Sequence, residues 1–211
     1  GTVYHYRVPQ FIRYETPLMN WCLDVVRNAQ FIVSEEGNVG MPPVLKELKI
    51  KIGEATYQMG IGGLHSTEET TAHHARGCKL VDRDVTSYYP MIILNLGLFP
   101  QHLGPGFLTI YRQIVDRRLA AKAAGNKVVA DSLKITINGS FGKLGSKYSV
   151  LYAPDLLIQV TVTGQLSLLM LIERLELRGI PVVSANTDGI VIKCPEGREA
   201  DMDAIVAWWE H

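Results

Sequence analysis

The chain has 211 residues, of which 47% are hydrophobic and 20% charged, a composition typical of a globular protein with a sizeable core. Uninterrupted apolar runs such as residues 168–172 are far shorter than the roughly 20 residues that cross a bilayer, and no basic-then-apolar signal opens the chain. We therefore expect no membrane partner and no secretion. Cys22, Cys78 and Cys194 match no metal-ligand spacing, so we expect reduced thiols in the cytoplasm.

The charge is balanced overall but unevenly distributed. The 21 basic residues equal the 21 acidic ones, which by itself argues against a partner as acidic as DNA. Residues 111–147 nevertheless contain eight basic and two acidic residues, a net charge of +6, and the rest of the chain carries −6. This segment indicates a local anion site, although most charge runs of this kind are solvated helix faces.

In the first half of the chain, the pattern predicts one helix followed by strands. Thr16 is suited to cap a helix that begins at Pro17, with apolar residues at helical spacing behind it. Residues 48–52 and 56–61 alternate like the two strands of a hairpin, which a flexible glycine-rich loop at residues 60–63 should end. A further strand is expected over residues 79–85, before the backbone turns at Ser-Tyr-Tyr-Pro.

In the second half, helical periodicity covers residues 107–124 and 127–141, and Gly125-Asn126 should end the first helix and begin the second. These form a helical hairpin that carries nearly all of the +6 charge. A long helix is expected over residues 154–177, and then two apolar strands around the turn at residues 186–189. Because strands and helices do not alternate regularly, we predict an α+β fold, an antiparallel sheet with helices on one face.

Two acids stand at predicted strand ends, Asp84 and Asp188. Either one alone is better explained as a turn residue that bonds to its own backbone. If their strands are neighbours, the two carboxylates converge and need a cation between them, and oxygen ligands favour Mg²⁺ or Mn²⁺ over zinc.

The helical hairpin supplies groups that such a metal site would act with. Arg118 and Lys122 are four residues apart on the first helix, and Lys134 and Asn138 are four apart on the second. Each pair alone is more often an exposed helix surface. Three cations and an amide aimed at one place are suited to a triphosphate, which makes phosphoryl transfer the favoured hypothesis.

Three segments resemble the motifs of family B DNA polymerases, in the order in which that family has them. Residues 84–93, DVTSYYPMII, are similar to motif A; residues 134–142, KITINGSFG, are similar to motif B; and residues 185–189, ANTDG, are similar to motif C. The Arg118/Lys122 pair falls where the family's first fingers helix carries the same residues. A single short motif is weak, but the ordered set covers residues 79–193, about half of the chain.

The resemblance implies a template-directed DNA polymerase that transfers a nucleotide from a deoxynucleotide to a primer 3′-hydroxyl with two metal ions. Asp84 and Asp188 would hold Mg²⁺ (or Mn²⁺ in its place), helped by the carbonyl of Val85. The triphosphate would be bound by six residues: Ser87, Tyr88, Arg118, Lys122, Lys134 and Asn138. Tyr89 would pack under the deoxyribose and exclude a 2′-hydroxyl.

The resemblance also implies a domain plan. Residues 1–106 would hold an N-terminal region and the first part of the palm, residues 107–145 the fingers, and residues 146–211 the rest of the palm and the start of a truncated thumb. Two exposed tryptophans near the end, Trp208 and Trp209, are an unusual end for a domain. No acidic exonuclease motifs precede the predicted palm, and only eighteen residues follow Lys193. Exonuclease and thumb are expected to be missing here and to be partners in a full-length enzyme, together with primer–template DNA and deoxynucleotides.

Motif C departs from the family pattern at two positions. Asn186 replaces the first aspartate, which lowers the local negative charge without removing the implied ligand, and Gly189 replaces the serine. These substitutions favour a divergent phage enzyme in the bacterial cytoplasm. The alternatives are another palm-type nucleotidyl transferase, such as a primase or reverse transcriptase, and a non-catalytic nucleic-acid-binding module in which both acids are only turn residues.

Overall fold

A computed structural model describes residues 1–68, 77–84, 88–149, 151–186 and 189–210, with the backbone alone for residues 68, 84, 88, 89, 138, 141 and 142. The eight strands of the described residues are β1 Thr2–His5, β2 Gln30–Val33, β3 Ile50–Ile52, β4 Ala55–Gln58, β5 His65–Glu68, β6 Cys78–Asp84, β7 Val182–Asn186 and β8 Gly189–Pro195. The seven α-helices are α1 Pro17–Asn28, α2 Pro43–Lys46, α3 Tyr88–Leu96, α4 Gly106–Ala123, α5 Lys127–Lys143, α6 Pro154–Leu177 and α7 Glu199–Glu210.

The protein is a mixed α+β fold with small antiparallel sheets, as the sequence predicts. The strands form a pair, β1-β2, and two three-stranded sheets with the orders β3-β4-β5 and β6-β8-β7. In β8, Ile190, Ile192 and Cys194 are buried while Val191 and Lys193 are half-exposed. This alternation shows that one face of the β6-β8-β7 sheet is packed into the core and the other faces outward.

Helix α6 is the centre of the main core. Its side chains pack with those of α1, α7 and both three-stranded sheets in one cluster of buried residues. The helix has the length and apolar composition of a membrane-crossing segment, but most of it is buried within the fold, which is the environment of a core helix. The apolar composition of α6 is therefore not evidence that the chain crosses a membrane.

The predicted first helix is confirmed, and its N-terminus is attached to the core. The hydroxyl of Thr16 accepts a hydrogen bond from the Met19 amide, as an N-cap does. The same hydroxyl donates to the buried carboxylate of Glu173, which also accepts from the amides of Glu15 and Thr16. One carboxylate of α6 thus holds the start of α1.

The helical hairpin is also confirmed, as helices α4 and α5. Gly125 takes a positive φ of 75°, and the amide of Asn126 donates to the carbonyl of Ala121, which ends α4. The side chain of Asn126 then accepts from the Val129 amide in the first turn of α5. The hairpin packs on α3 and the start of α6 through a second buried cluster, which includes Tyr111, Val115 and Ile137. The assignment of this hairpin to a separate fingers unit stays a prediction.

The glycine-rich loop at residues 60–63 is bonded to the core helix. Gln165 of α6 bonds to both the amide and the carbonyl of Gly60, and Thr161 donates to the carbonyl of Ile61. The loop leads into β5, a strand that the sequence pattern did not predict. Held in this way by α6, it presents β5 beside the β6-β8-β7 sheet.

The prediction of two exposed tryptophans is confirmed for Trp208 and wrong for Trp209. Trp208 is 42% exposed and stacks under the Arg174 guanidinium, 3.9 Å from the ring centroid. Trp209, however, is buried, and its indole Nε1 donates to the carbonyl of Ser167 at 2.6 Å. Helix α7 is therefore an amphipathic element of the main core, and its assignment to the start of a thumb stays a prediction.

The three cysteines carry free thiols. Burial raises the pKa of the Cys22 thiol to about 11, so this group is protonated and inert at neutral pH.

Candidate active site

The candidate site lies at one end of the β6-β8-β7 sheet. In its register Asp84 is opposite Gly189, and on the far side of β8 Gly189 is opposite Asn186. Paired residues on antiparallel strands are about 4.5–5.5 Å apart between Cα atoms. The last residue of β6 therefore lies beside the residue that directly follows Asp188.

Several predicted site residues fall outside the described residues, namely Val85, Ser87 and Asp188, and so do the side chains of Asp84, Tyr88, Tyr89 and Asn138. The convergence of the two carboxylates thus stays a prediction, while the neighbouring strands that it requires are present. Among the side chains that the structure describes, no three His, Cys, Asp or Glu residues form a cluster.

The predicted ligands are compatible with a hard divalent cation. Asp84 is opposite Gly189 in the register, Asp188 directly precedes Gly189 in the chain, and the donors expected from the two acids and from the Val85 carbonyl are oxygens. Oxygen donors from two carboxylates and a carbonyl suit Mg²⁺ or Mn²⁺.

Asn186 has a defined structural role in the hairpin between β7 and β8. It is exposed, and its Oδ1 accepts a hydrogen bond from the amide of Gly189 at 3.1 Å. An aspartate could accept the same bond, so the amide at this position keeps the bond and removes one negative charge.

The sheet end is fixed from two sides. Arg83, opposite Ile190 in the register, forms an ion pair with Asp203 of α7 at 2.9 Å, which links β6 to α7. On the other edge, the hydroxyl of Ser66 in β5 accepts from the amide of Ala185 in β7 at 2.8 Å. Nothing in the sequence pattern identifies Ser66, because its partner is 119 residues away.

Helix α3 begins soon after β6. Its first residues are Tyr88 and Tyr89, and Pro90 follows in the first turn, where the missing N–H group breaks no helical hydrogen bond. Residues 88–90 of the Ser-Tyr-Tyr-Pro segment thus begin a helix, while Ser87 and the predicted turn lie outside the described residues. A helix N-terminus presents amide groups and a positive dipole end, which suit an anion.

The cationic residues of the helical hairpin lie in different environments. Arg118 is partly buried, and its Nε is fully buried without a hydrogen-bond partner among the residues that the structure describes. Lys122, one turn further along α4, is exposed, and Lys134 of α5 is half-exposed. A buried guanidinium nitrogen without a partner is costly.

Tyr111 lies two helical turns before Arg118 on the same face of α4. Its ring stacks on Phe107 with centroids 5.4 Å apart, and its buried hydroxyl has no partner within the described part of the chain. Burial raises the pKa of this phenol above its usual range. The inner face of α4 therefore carries two polar atoms whose bonding is incomplete.

No family model and no curated protein matches this chain. The resemblance to polymerases therefore depends on the three motif segments and on the described geometry around them.

Proposed function

We propose that this chain is the palm and fingers part of a template-directed DNA polymerase of the family B type. The observation that carries the proposal is the register of β6 with β8, in which Asp84 is the neighbour of the residue after Asp188. Two acids far apart in sequence are expected to meet at one sheet end if they hold metal ions, whereas turn residues have no such requirement. The helical hairpin with its net positive charge supports the same function.

In the proposed reaction each group has a separate task. Asp84, Asp188 and the Val85 carbonyl would hold two Mg²⁺ ions, which when bound activate a primer 3′-hydroxyl and neutralise the charge of the leaving pyrophosphate. Arg118, Lys122, Lys134 and Asn138 would bind the triphosphate from the hairpin side, and Ser87 and Tyr88 would bind it from the start of α3. Tyr89 would exclude a ribose from the sugar position.

The placement of Arg118 supports the triphosphate assignment. Its side chain is partly buried on α4, whereas Arg117 and Lys122 are exposed, and a phosphate oxygen is the acceptor that a guanidinium binds best. An exposed lysine such as Lys122 would add charge with less geometric demand.

The test is a calorimetric titration of the chain with Mg²⁺, with deoxynucleotide triphosphate, and with both. We expect binding of both together to be tighter than the binding of either one alone, and this cooperativity to be lost in Asp188→Ala. Equal binding by Asp188→Ala and the unmodified chain would contradict the metal assignment. A module that only binds nucleic acid has no reason to show this cooperativity.

Arg118→Ala should weaken deoxynucleotide affinity by about 10- to 100-fold, the range expected from a lost charge-assisted hydrogen bond. Arg117→Ala is the matched control, because Arg117 is the neighbouring and exposed residue on α4, and it should change affinity by less than about 3-fold. The measurement is the same titration, with the melting temperature of each variant as a check of the fold. Equal effects of the two variants would mean that Arg118 acts only through the general charge of the hairpin.

Tyr89→Ala should raise the use of ribonucleotides relative to deoxynucleotides by about 10-fold or more, since a steric exclusion is a difference between two transition-state affinities. The measurement is the ratio of kcat/KM for the two substrates. Tyr148→Ala, at a tyrosine that is 89% exposed, is the control and should leave the ratio unchanged. If Tyr89→Ala also leaves it unchanged, the ring does not contact the sugar.

A further inference from the structure

The two three-stranded sheets meet edge to edge beside the candidate site. β5 is the outer strand of the sheet β3-β4-β5, and β7 is the outer strand of the sheet β6-β8-β7. The contact includes one defined hydrogen bond, in which the Ser66 hydroxyl accepts from the amide of Ala185 at 2.8 Å. Ala185 is opposite Ile190 of β8 on its other side. The bond therefore holds β7 from the edge that the β-ladder leaves open.

We propose that Ser66 is a positioning residue for the hairpin that carries Asp188. This inference rests on the proposed polymerase function, in which Asp188 holds metal. Ala185 directly precedes Asn186, whose Oδ1 accepts from the amide of Gly189. The Ser66 bond thus lies three residues from Asp188 in the chain. The next residue after Ala185, Asn186, bonds to Gly189 at the start of β8.

β7 needs such a support because its own pairing is irregular. The strand has five residues, and its register with β8 shifts between Val182 and Ser184. An irregular ladder at a sheet edge restrains a strand less than a regular one flanked on both sides. A bond at Ala185, beyond the shift, restrains the end of the strand that leads to the site.

Ser66 is itself held in place by neighbouring elements. Within its sheet it is opposite Tyr57, which is fully buried. The loop before β5 is attached to the core helix by the bonds of Gln165 to Gly60. Ser66 is therefore held by α6 and by β4, and it can transmit that rigidity to β7.

The test compares Ser66→Ala with a matched serine in the intact chain. Ser34 is also half-buried, and its hydroxyl accepts from the Asn38 amide at 3.1 Å in a turn after β2, so Ser34→Ala removes the same kind of bond elsewhere. The readouts are the affinity for Mn²⁺ in the presence of deoxynucleotide, measured by the electron paramagnetic resonance of free Mn²⁺, and the hydrogen exchange rate of the Ala185 amide without metal.

We expect Ser66→Ala to weaken Mn²⁺ affinity by about 10-fold, as the loss of groups that orient metal ligands does, and to speed exchange at Ala185. Ser66→Thr keeps the hydroxyl and should restore both values, and Ser34→Ala should change neither. If the alanine variant does not fold, Ser66→Cys, with similar size and a weak acceptor, takes its place in the comparison.

Asp188→Ala separates the two hypotheses. If Asp188→Ala loses Mn²⁺ and Ser66→Ala binds it like the unmodified chain, the positioning role is wrong and the metal site stands. If Asp188→Ala binds Mn²⁺ normally, the proposed function fails and this inference fails with it.

Discussion

The single substitutions Asp84→Ala and Asp188→Ala should each reduce the rate of nucleotide incorporation by about 10³-fold or more, with the fold intact. Loss of a metal ligand removes stabilisation of the transition-state charge worth several kcal/mol, and about 1.4 kcal/mol corresponds to a factor of ten in rate. The measurement is single-turnover primer extension by the proposed polymerase at low salt, since primer–template binding depends largely on phosphate contacts.

Asn186→Ala is the control within the same hairpin. Its Oδ1 accepts the Gly189 amide bond, so the variant loses a turn contact at an exposed position but no predicted ligand. We expect a loss of less than about 10-fold, in line with one exposed hydrogen bond worth about 1 kcal/mol. Near-normal extension by Asp188→Ala, or an equal loss in Asn186→Ala, would contradict the metal assignment.

Glu173→Ala should destabilise the fold by about 3 kcal/mol or more. The carboxylate is 4% exposed and accepts hydrogen bonds from the Glu15 amide, the Thr16 amide and the Thr16 hydroxyl. Its removal leaves three part-buried donors at the start of α1 without their acceptor, and a fully buried group left unpaired costs about 1–3 kcal/mol, so together they are expected to cost about 3 kcal/mol. Urea denaturation followed by tryptophan fluorescence measures the change in the free energy of unfolding.

Glu15→Ala is the matched control for that change. Its side chain is half-exposed and forms longer ion pairs with Arg174 at 4.0 Å and Arg178 at 3.7 Å. Such pairs contribute about 0–1 kcal/mol, so the control should lose less than about 1 kcal/mol. Similar losses in both variants would mean that the Glu173 bonds contribute no more than a surface pair.

The arrangement of the candidate site was only partly predictable. Motif order and strand ends predicted that β6 and the β7-β8 hairpin carry the acids, and the register shows that these strands are neighbours. The burial of Arg118 was not predictable, because helical spacing puts Arg118 and Lys122 on similar faces but does not tell how deep each one lies.

Elements with local signals could be predicted from the sequence. The cap at Thr16, the Gly125-Asn126 break and the apolar periodicity of α6 each act within a few residues, and the structure has these elements within one or two residues of the predicted bounds. Capping, left-handed glycines and amphipathic spacing are properties of short windows, so they can be recognised without the fold.

The contacts that join the elements to one another could not be predicted, because they depend on the three-dimensional fold. Three hydrogen bonds join residues that are far apart in the sequence. Gln165 bonds to Gly60 over 105 positions, Ser66 to Ala185 over 119, and Trp209 to Ser167 over 42. A glycine-rich loop looks flexible, and a terminal tryptophan looks exposed, until the partner that holds it is known. Each of these contacts becomes favourable only when the core around α6 excludes water and brings both groups together. A short window of sequence therefore does not identify the distant partner.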